Sequence, residues 1–142
     1  MRWAAWALIW VGSVLVGGSG VIHYHLWASL GYNNIPTIGP LFLFQAVASW
    51  VIAVITSLFR KWWLAGLEAV FSFATAAGLL WSVEVGLFGW QDSLSAPFAG
   101  MALSVELAGG VVLSLATSIL VAPRLKGALK ARRNQQLANR AA

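Results

Sequence analysis

Four long apolar stretches, divided by short polar breaks, set the pattern of this chain. They run from about Trp3 to Ile22, Leu41 to Phe59, Trp62 to Val83 and Phe98 to Ala122. Each approaches or exceeds the roughly 20 residues that a helix needs to cross a hydrocarbon core about 30 Å thick. The breaks carry turn chemistry. Gly31-Tyr32-Asn33-Asn34-Ile35-Pro36 and Gly39-Pro40 separate the first pair, and Arg60-Lys61 separates the middle pair. Gly89-Trp90-Gln91-Asp92-Ser93 through Pro97 separates the last. Glycine, proline and asparagine punctuate helices in this way. Loops this short make consecutive helices antiparallel. The pattern therefore predicts an all-α polytopic membrane protein. Residues 1–122 form an antiparallel up-down bundle of four transmembrane helices, and residues 123–142 form a basic tail. The first stretch is expected to remain as a span, because it exceeds a signal-peptide core and no A-x-A site follows it.

Composition supports lipid as the solvent. Of the 142 residues, 60% are hydrophobic and 9% charged, against about a quarter charged in soluble domains. Cysteine is absent, which excludes disulfides, thiolate metal sites and thiol nucleophiles. The net charge of +5 reads as orientation. Arg2, Arg60, Lys61, Arg124, Lys126, Lys130, Arg132, Arg133 and Arg140 all fall on one side of a four-span arrangement. The positive-inside rule then puts both termini in the cytoplasm. Trp3, Trp6, Trp62 and Trp63 sit near the inner interface and Trp27, Trp81 and Trp90 near the outer one, as an aromatic belt does. Trp50, near mid-membrane, is expected to pack on a neighbour. In the tail, Leu125 and Leu129 are four residues apart, which suits a short amphipathic helix on anionic lipid; a solvated topogenic tail is the other reading. Nothing supports a nucleic-acid partner.

Small residues recur at helical spacing: Ser13, Gly17 and Gly20, with Gly12 and Ser19, in the first span, and Gly100, Ser104 and Ala108, then Gly110, Ser114 and Ser118, in the fourth. Such faces let backbones approach closely in lipid. They predict a tight bundle without a wide pore, some faces being open to a partner protein. Polar residues also align, as Gln45, Ser49 and Thr56 on the second span and Glu68, Ser72, Thr75 and Ser82 on the third. Interhelical hydrogen bonding accounts for these; a proton or water path is the alternative.

The chain has four acids, Glu68, Glu84, Asp92 and Glu106, and a buried charge in a membrane asks for a reason. Glu68 lies seven residues after Lys61, so it is expected to snorkel toward Lys61 or the basic tail. Glu106 shares its face with Ala102, Gly109 and Gly110 and is expected to point into the bundle. His23, His25, Glu84, Gln45 and Asp92 lie at the same outer depth. His23, His25, Glu84 and Glu106 form a ligand set suited to a divalent zinc, copper or non-haem iron ion. Two histidines two apart diverge by about 200° on a helix, so that set requires an unwound helix end. A second chemistry is a quinone-type site with His23 and Glu106 as proton acceptor; a third is proton transfer through Glu68, Gln45 and Glu106. No nucleophile triad, phosphate loop, zincin helix or dinucleotide fingerprint is present.

His23-Tyr24-His25-Leu26-Trp27, then Gly31-Tyr32, then Ile35-Pro36-Thr37-Ile38-Gly39-Pro40-Leu41-Phe42 resembles a group of small four-helix membrane proteins of actinobacteria. Val85-Gly86-Leu87-Phe88-Gly89 is also similar. His25 rather than His23 fits the position before the leucine. The likeness covers most of the bundle but not the tail. It implies the four-helix fold and a bacterial plasma membrane, with no activity attached. Taken together, these residues lead to a non-catalytic accessory or scaffold subunit of a larger membrane complex. The alternatives are a metal- or quinone-binding membrane protein and a small proton-coupled transporter. The expected partners are the bilayer, other membrane subunits and anionic lipid at the tail.

Overall fold

A computed structural model describes residues 2–141. It is all-helical. Helix α1 spans Arg2–Ser29, α2 Ile38–Phe59, α3 Trp62–Glu84 and α4 Ala99–Ala141, with one 3-10 turn at Tyr32–Asn34. All four α-helices are long and apolar enough to cross a membrane.

Three boundaries differ from the expected ones. Helix α2 begins at Ile38 rather than Leu41, with Gly39 and Pro40 in its first turn, where proline's missing N–H has no helical partner to lose. The first helix does not stop near Ile22 but continues through His23 and His25 to Ser29. No glycine or proline interrupts it before Gly31, so the backbone has no reason to leave the helix where its side chains become polar. The fourth does not end at Pro123, which lies inside a 43-residue helix. Proline lacks the N–H that would bond the carbonyl four residues back. The carbonyl that loses its donor is that of Ile119; one residue on, the Arg124 guanidinium folds back along the helix and donates to the Leu120 carbonyl at 2.6 Å. Beyond Pro123 the helix stands free, with its side chains exposed as far as Arg140.

Neighbours pair antiparallel. Gly12 of α1 faces Leu113 of α4, and Gly109 of α4 faces Val16 of α1. Gly20 faces Ser49 and Trp50 of α2, and Gly110 faces Phe73 of α3. Gly12, Gly20 and Gly110 lie so close to these side chains that an added Cβ would come within 3.0 Å of them, which is the close approach that small residues permit. The core follows the same logic. Ala65, Ala69 and Ala116 pack with Ile9, Val16 and Leu113 at its centre. A smaller cluster of Ile22, Leu26 and Ala102 lies toward the other end. Trp50 rests on α1, its indole N–H donating to the Gly17 carbonyl at 3.2 Å.

The order around the bundle is α2, α1, α4, α3. Helix α1 packs against both α2 and α4, and α3 packs against α4, whereas α2 and α3 touch little despite being consecutive. Their separation leaves a gap on one flank.

Candidate functional site

The site grows from Ser19, on the seam between α1 and α4. Its hydroxyl donates to Glu106 Oε1 at 2.7 Å. One turn further along α1, His23 Nδ1 lies 2.9 Å from the Ser19 backbone carbonyl. A carbonyl only accepts, so Nδ1 carries the hydrogen. In the neutral ring, Nε2 then presents its lone pair. That nitrogen sits 3.9 Å from Glu106 Oε1. Ser72 of α3 donates to the Glu106 backbone carbonyl at 2.7 Å, and Thr75 donates to the Ser72 carbonyl at 2.8 Å. Glu106 is 1% exposed, and its Oε2 has no hydrogen-bond partner. Three helices thus hold one carboxyl and one imidazole 3.9 Å apart, just beyond direct hydrogen-bond distance, with the carboxyl shielded from bulk water. The pair can accept a proton from a neighbouring group or donate a hydrogen bond to it.

The neighbouring space is the gap between α2 and α3, a cavity of about 320 Å³. Phe42, Phe71, Leu79 and Trp90 wall it, and His23 lies at its floor. Gln45 and Thr75 add polar atoms to the lining, and Ser82 and Asp92 do so near the α3 end. Phe42 packs on the His23 ring with centroids 5.0 Å apart. Tyr32 stacks on Phe42 at 4.7 Å and meets Trp90 edge-on at 6.1 Å. Burial first, then the Asp92 carboxylate beside it, pushes the Tyr32 phenol above its ordinary range, so it stays protonated as a donor at neutral pH. The loop before α4 is pinned by reciprocal Leu87–Trp90 backbone hydrogen bonds of 2.6 and 2.9 Å. The turn uses positive φ at Gly86, Phe88 and Gly89. This fixes Trp90, whose indole N–H is buried without an acceptor in the protein.

The four-residue metal set is not assembled. His23 and His25 remain on one continuous helix, so they diverge as regular geometry requires. His25 is exposed and lies edge-on to Phe98 at 5.4 Å. Glu84 is exposed at the end of α3. Among the described residues, no group of three or more histidines and acids is placed to hold one ion. Only His23 and Glu106 come together.

Glu68 does not snorkel to Lys61. It is fully buried and accepts a hydrogen bond from Ser13 of α1 at 3.0 Å. Its sector of α3 faces the bundle, while Lys61 caps the helix outside. Glu68 Oε1, Ser49 Oγ and Thr56 Oγ1 are buried and unpartnered. Ser13 and Ser19 are six residues apart, so the two carboxyl groups sit on levels separated by about 9 Å along α1. Buried Val16 packs on Gly109 between those levels.

Ser19 and Trp90 are the site residues that sequence reasoning assigned elsewhere, to helix packing and to the aromatic belt. The spacing of Ser19 and His23, one helical turn, was the available signal. No protein family, curated protein or solved structure matches the chain.

Proposed function

We propose that this chain is an integral membrane protein that binds an apolar molecule with a carbonyl or hydroxyl head, of the quinone class, in the gap between α2 and α3. One observation carries the reading: apolar aromatic walls lead to His23, which is paired with the buried Glu106. Ligand sites are typically apolar clefts of about 300–1,000 Å³ with a few convergent polar groups. Flat aromatic walls suit a ring, and His23, Gln45 and Thr75, which line the gap, suit its oxygen. The ligand enters sideways from the bilayer. The charge distribution favours both termini in the cytoplasm, which puts the gap in the outer half of the membrane. The actinobacterial resemblance favours a bacterial plasma membrane.

The test is binding of a short-chain benzoquinone to the purified chain in detergent, read by calorimetry. Gly78 lines the gap, and an added Cβ there meets nothing within 4 Å. Gly78→Leu therefore adds side-chain volume to the gap from a position whose Cβ is unobstructed, and improves helix propensity. Binding is expected to fall more than about tenfold, with helicity unchanged. His23→Phe is expected to cost a similar factor, about what one lost hydrogen bond in a dry site removes. Wild-type affinity in both variants sinks the reading.

An accessory or scaffold role has one observation in its favour. Gly100, Ser104 and Ala108 form an exposed small-residue ridge on α4, of the kind against which a second membrane helix packs. Gentle purification should then recover stoichiometric partner chains that Ser104→Leu releases. A chain that purifies alone from its native membrane rejects this role.

A further inference from the structure

At the other end of the bundle, where α1 begins, α2 turns into α3 and α4 reaches Pro123, lies a larger cavity of about 710 Å³. Four cations line it: Arg2, Arg60, Lys61 and Arg124. Among the described residues no carboxylate lines it, and no Lys or Arg is within salt-bridge distance of an acid. Arg2 and Arg60 lie over the same indole, that of Trp6, at 5.9 and 5.2 Å from the ring centroid. Two guanidinium groups drawn to one ring repel each other, and an anion bound in the cavity they line offsets that repulsion.

A second observation points the same way. Arg60 closes α2 in the left-handed region, at φ 51°, its N–H bonding the Thr56 carbonyl at 2.9 Å. Glycine is the usual residue in this closing conformation because it has no Cβ to strain. A strained non-glycine position held by its surroundings is a pointer to function. Here the strained residue is the one that places a guanidinium in the cavity.

We propose that this cavity binds a phosphoryl anion, presented as the headgroup of an acidic phospholipid. The cavity lies where the helices leave the apolar layer, with Trp6 and Trp62 at its wall, as interfacial tryptophans do. Leu58, Phe59 and Leu120 give the same wall an apolar side for the glycerol and acyl portion. Basic pockets between transmembrane helices recognise anionic headgroups in this way. Arginine suits phosphate because its planar fork presents paired donors. The site is separate from the gap between α2 and α3, and it stands whether or not that gap takes a quinone.

The experiment is native mass spectrometry of the full chain, titrated with dioctanoyl phosphatidylglycerol and, separately, with dioctanoyl phosphatidylcholine. The phosphatidylglycerol is expected to bind one copy roughly tenfold more tightly. Each lost cation near an anionic headgroup weakens binding about fivefold. Arg60→Gly is therefore expected to weaken it about fivefold while the melting temperature holds or rises, since the backbone strain is relieved. Arg60→Gly with Lys61→Gln and Arg124→Gln is expected to weaken binding about a hundredfold. Lys130→Gln with Arg132→Gln and Arg133→Gln removes the same charge from the tail and is expected to change it less than about twofold. Competition by inorganic phosphate at about millimolar concentration keeps the phosphoryl site but gives it a soluble ligand; no competition assigns it to lipid. Equal binding of the two lipids overturns the proposal, as does equal weakening by the cavity and tail variants.

Discussion

Replacing Gly39 by alanine is expected to destabilise the protein by about 2–3 kcal/mol, the upper range for forcing extra volume into a packed site. A Cβ at this position would sit 2.9 Å from the carbonyl oxygens of both Tyr32 and Asn33, and 3.0 Å from Asn33 Cα. These are backbone atoms, and a backbone cannot swing aside as a side chain can. The first turn of α2 therefore seats directly on the Tyr32–Asn34 turn, and one methyl group pushes them apart. The damage also reaches the ligand gap, because Tyr32 stacks on Phe42 at its rim. Gly78→Ala is the matched comparison. Nothing lies within 4 Å of its added Cβ, so it is expected to stabilise α3 by up to about 1 kcal/mol through helix propensity alone. Reversible unfolding in mixed detergent micelles, with SDS as denaturant, measures both. Equal midpoints for the two variants would mean that the Gly39 contact does not constrain the fold.

A second large effect is expected at Ser19. Ser19→Ala removes the one hydrogen bond to the Glu106 carboxyl, whose other oxygen is already unpartnered. A buried acceptor left alone costs about 1–3 kcal/mol. Glu106→Leu should cost less, about 1 kcal/mol or below, because removing the buried polar group removes its desolvation penalty too. The freed Ser19 hydroxyl can then bond to the carbonyl four residues back on its own helix. In the Glu106→Leu background, Ser19→Ala should therefore be nearly silent. The coupling expected from this double-mutant cycle is about 1–2 kcal/mol, near the upper range measured for hydrogen bonds inside membrane bundles. If Ser19→Ala costs the same in both backgrounds, the Ser19–Glu106 bond contributes nothing to stability. The benzoquinone titration then separates stability from binding, since Glu106→Leu is expected to fold and to bind weakly.

The four long apolar helices were legible because each is a continuous apolar run of a length and composition that suffices to cross a membrane. The inward facing of Glu106 was legible too, from the small residues Ala102, Gly109 and Gly110 around it. Helix ends were harder to read. Hydropathy marks where apolar side chains end, which at His23 and at Pro123 is not where the helical hydrogen bonds end. Glu68 was misplaced for a related reason. Its spacing to Lys61 describes one helix, whereas its partner Ser13 lies on another, 55 residues away in the chain. The gap between α2 and α3 was not legible at all. Short loops give antiparallel neighbours but do not say which neighbours press together, and here the consecutive pair is the one that stays apart. The four residues considered for a metal were grouped by their depth along the chain's spans, which carries no information on direction around a helix; only His23 comes within 3.9 Å of Glu106, while His25 and Glu84 are exposed.

The connection between α2 and α3 gives that gap a mechanical character. Two residues, Arg60 and Lys61, join helices of 22 and 23 residues, each about 33 Å long or slightly more. The pair has the form of tongs, with their pivot at Arg60–Lys61 and their jaws at the gap near the other ends of the helices. A rotation of about 5° at such a pivot moves the far tip by about 3 Å over that length, close to the thickness of an aromatic ring. The width of the jaws, and hence the girth of any molecule held between them, is therefore sensitive to torsion angles at Arg60 and Lys61, at the far end of the two helices, as well as to the packing of α2 on α1 and of α3 on α4.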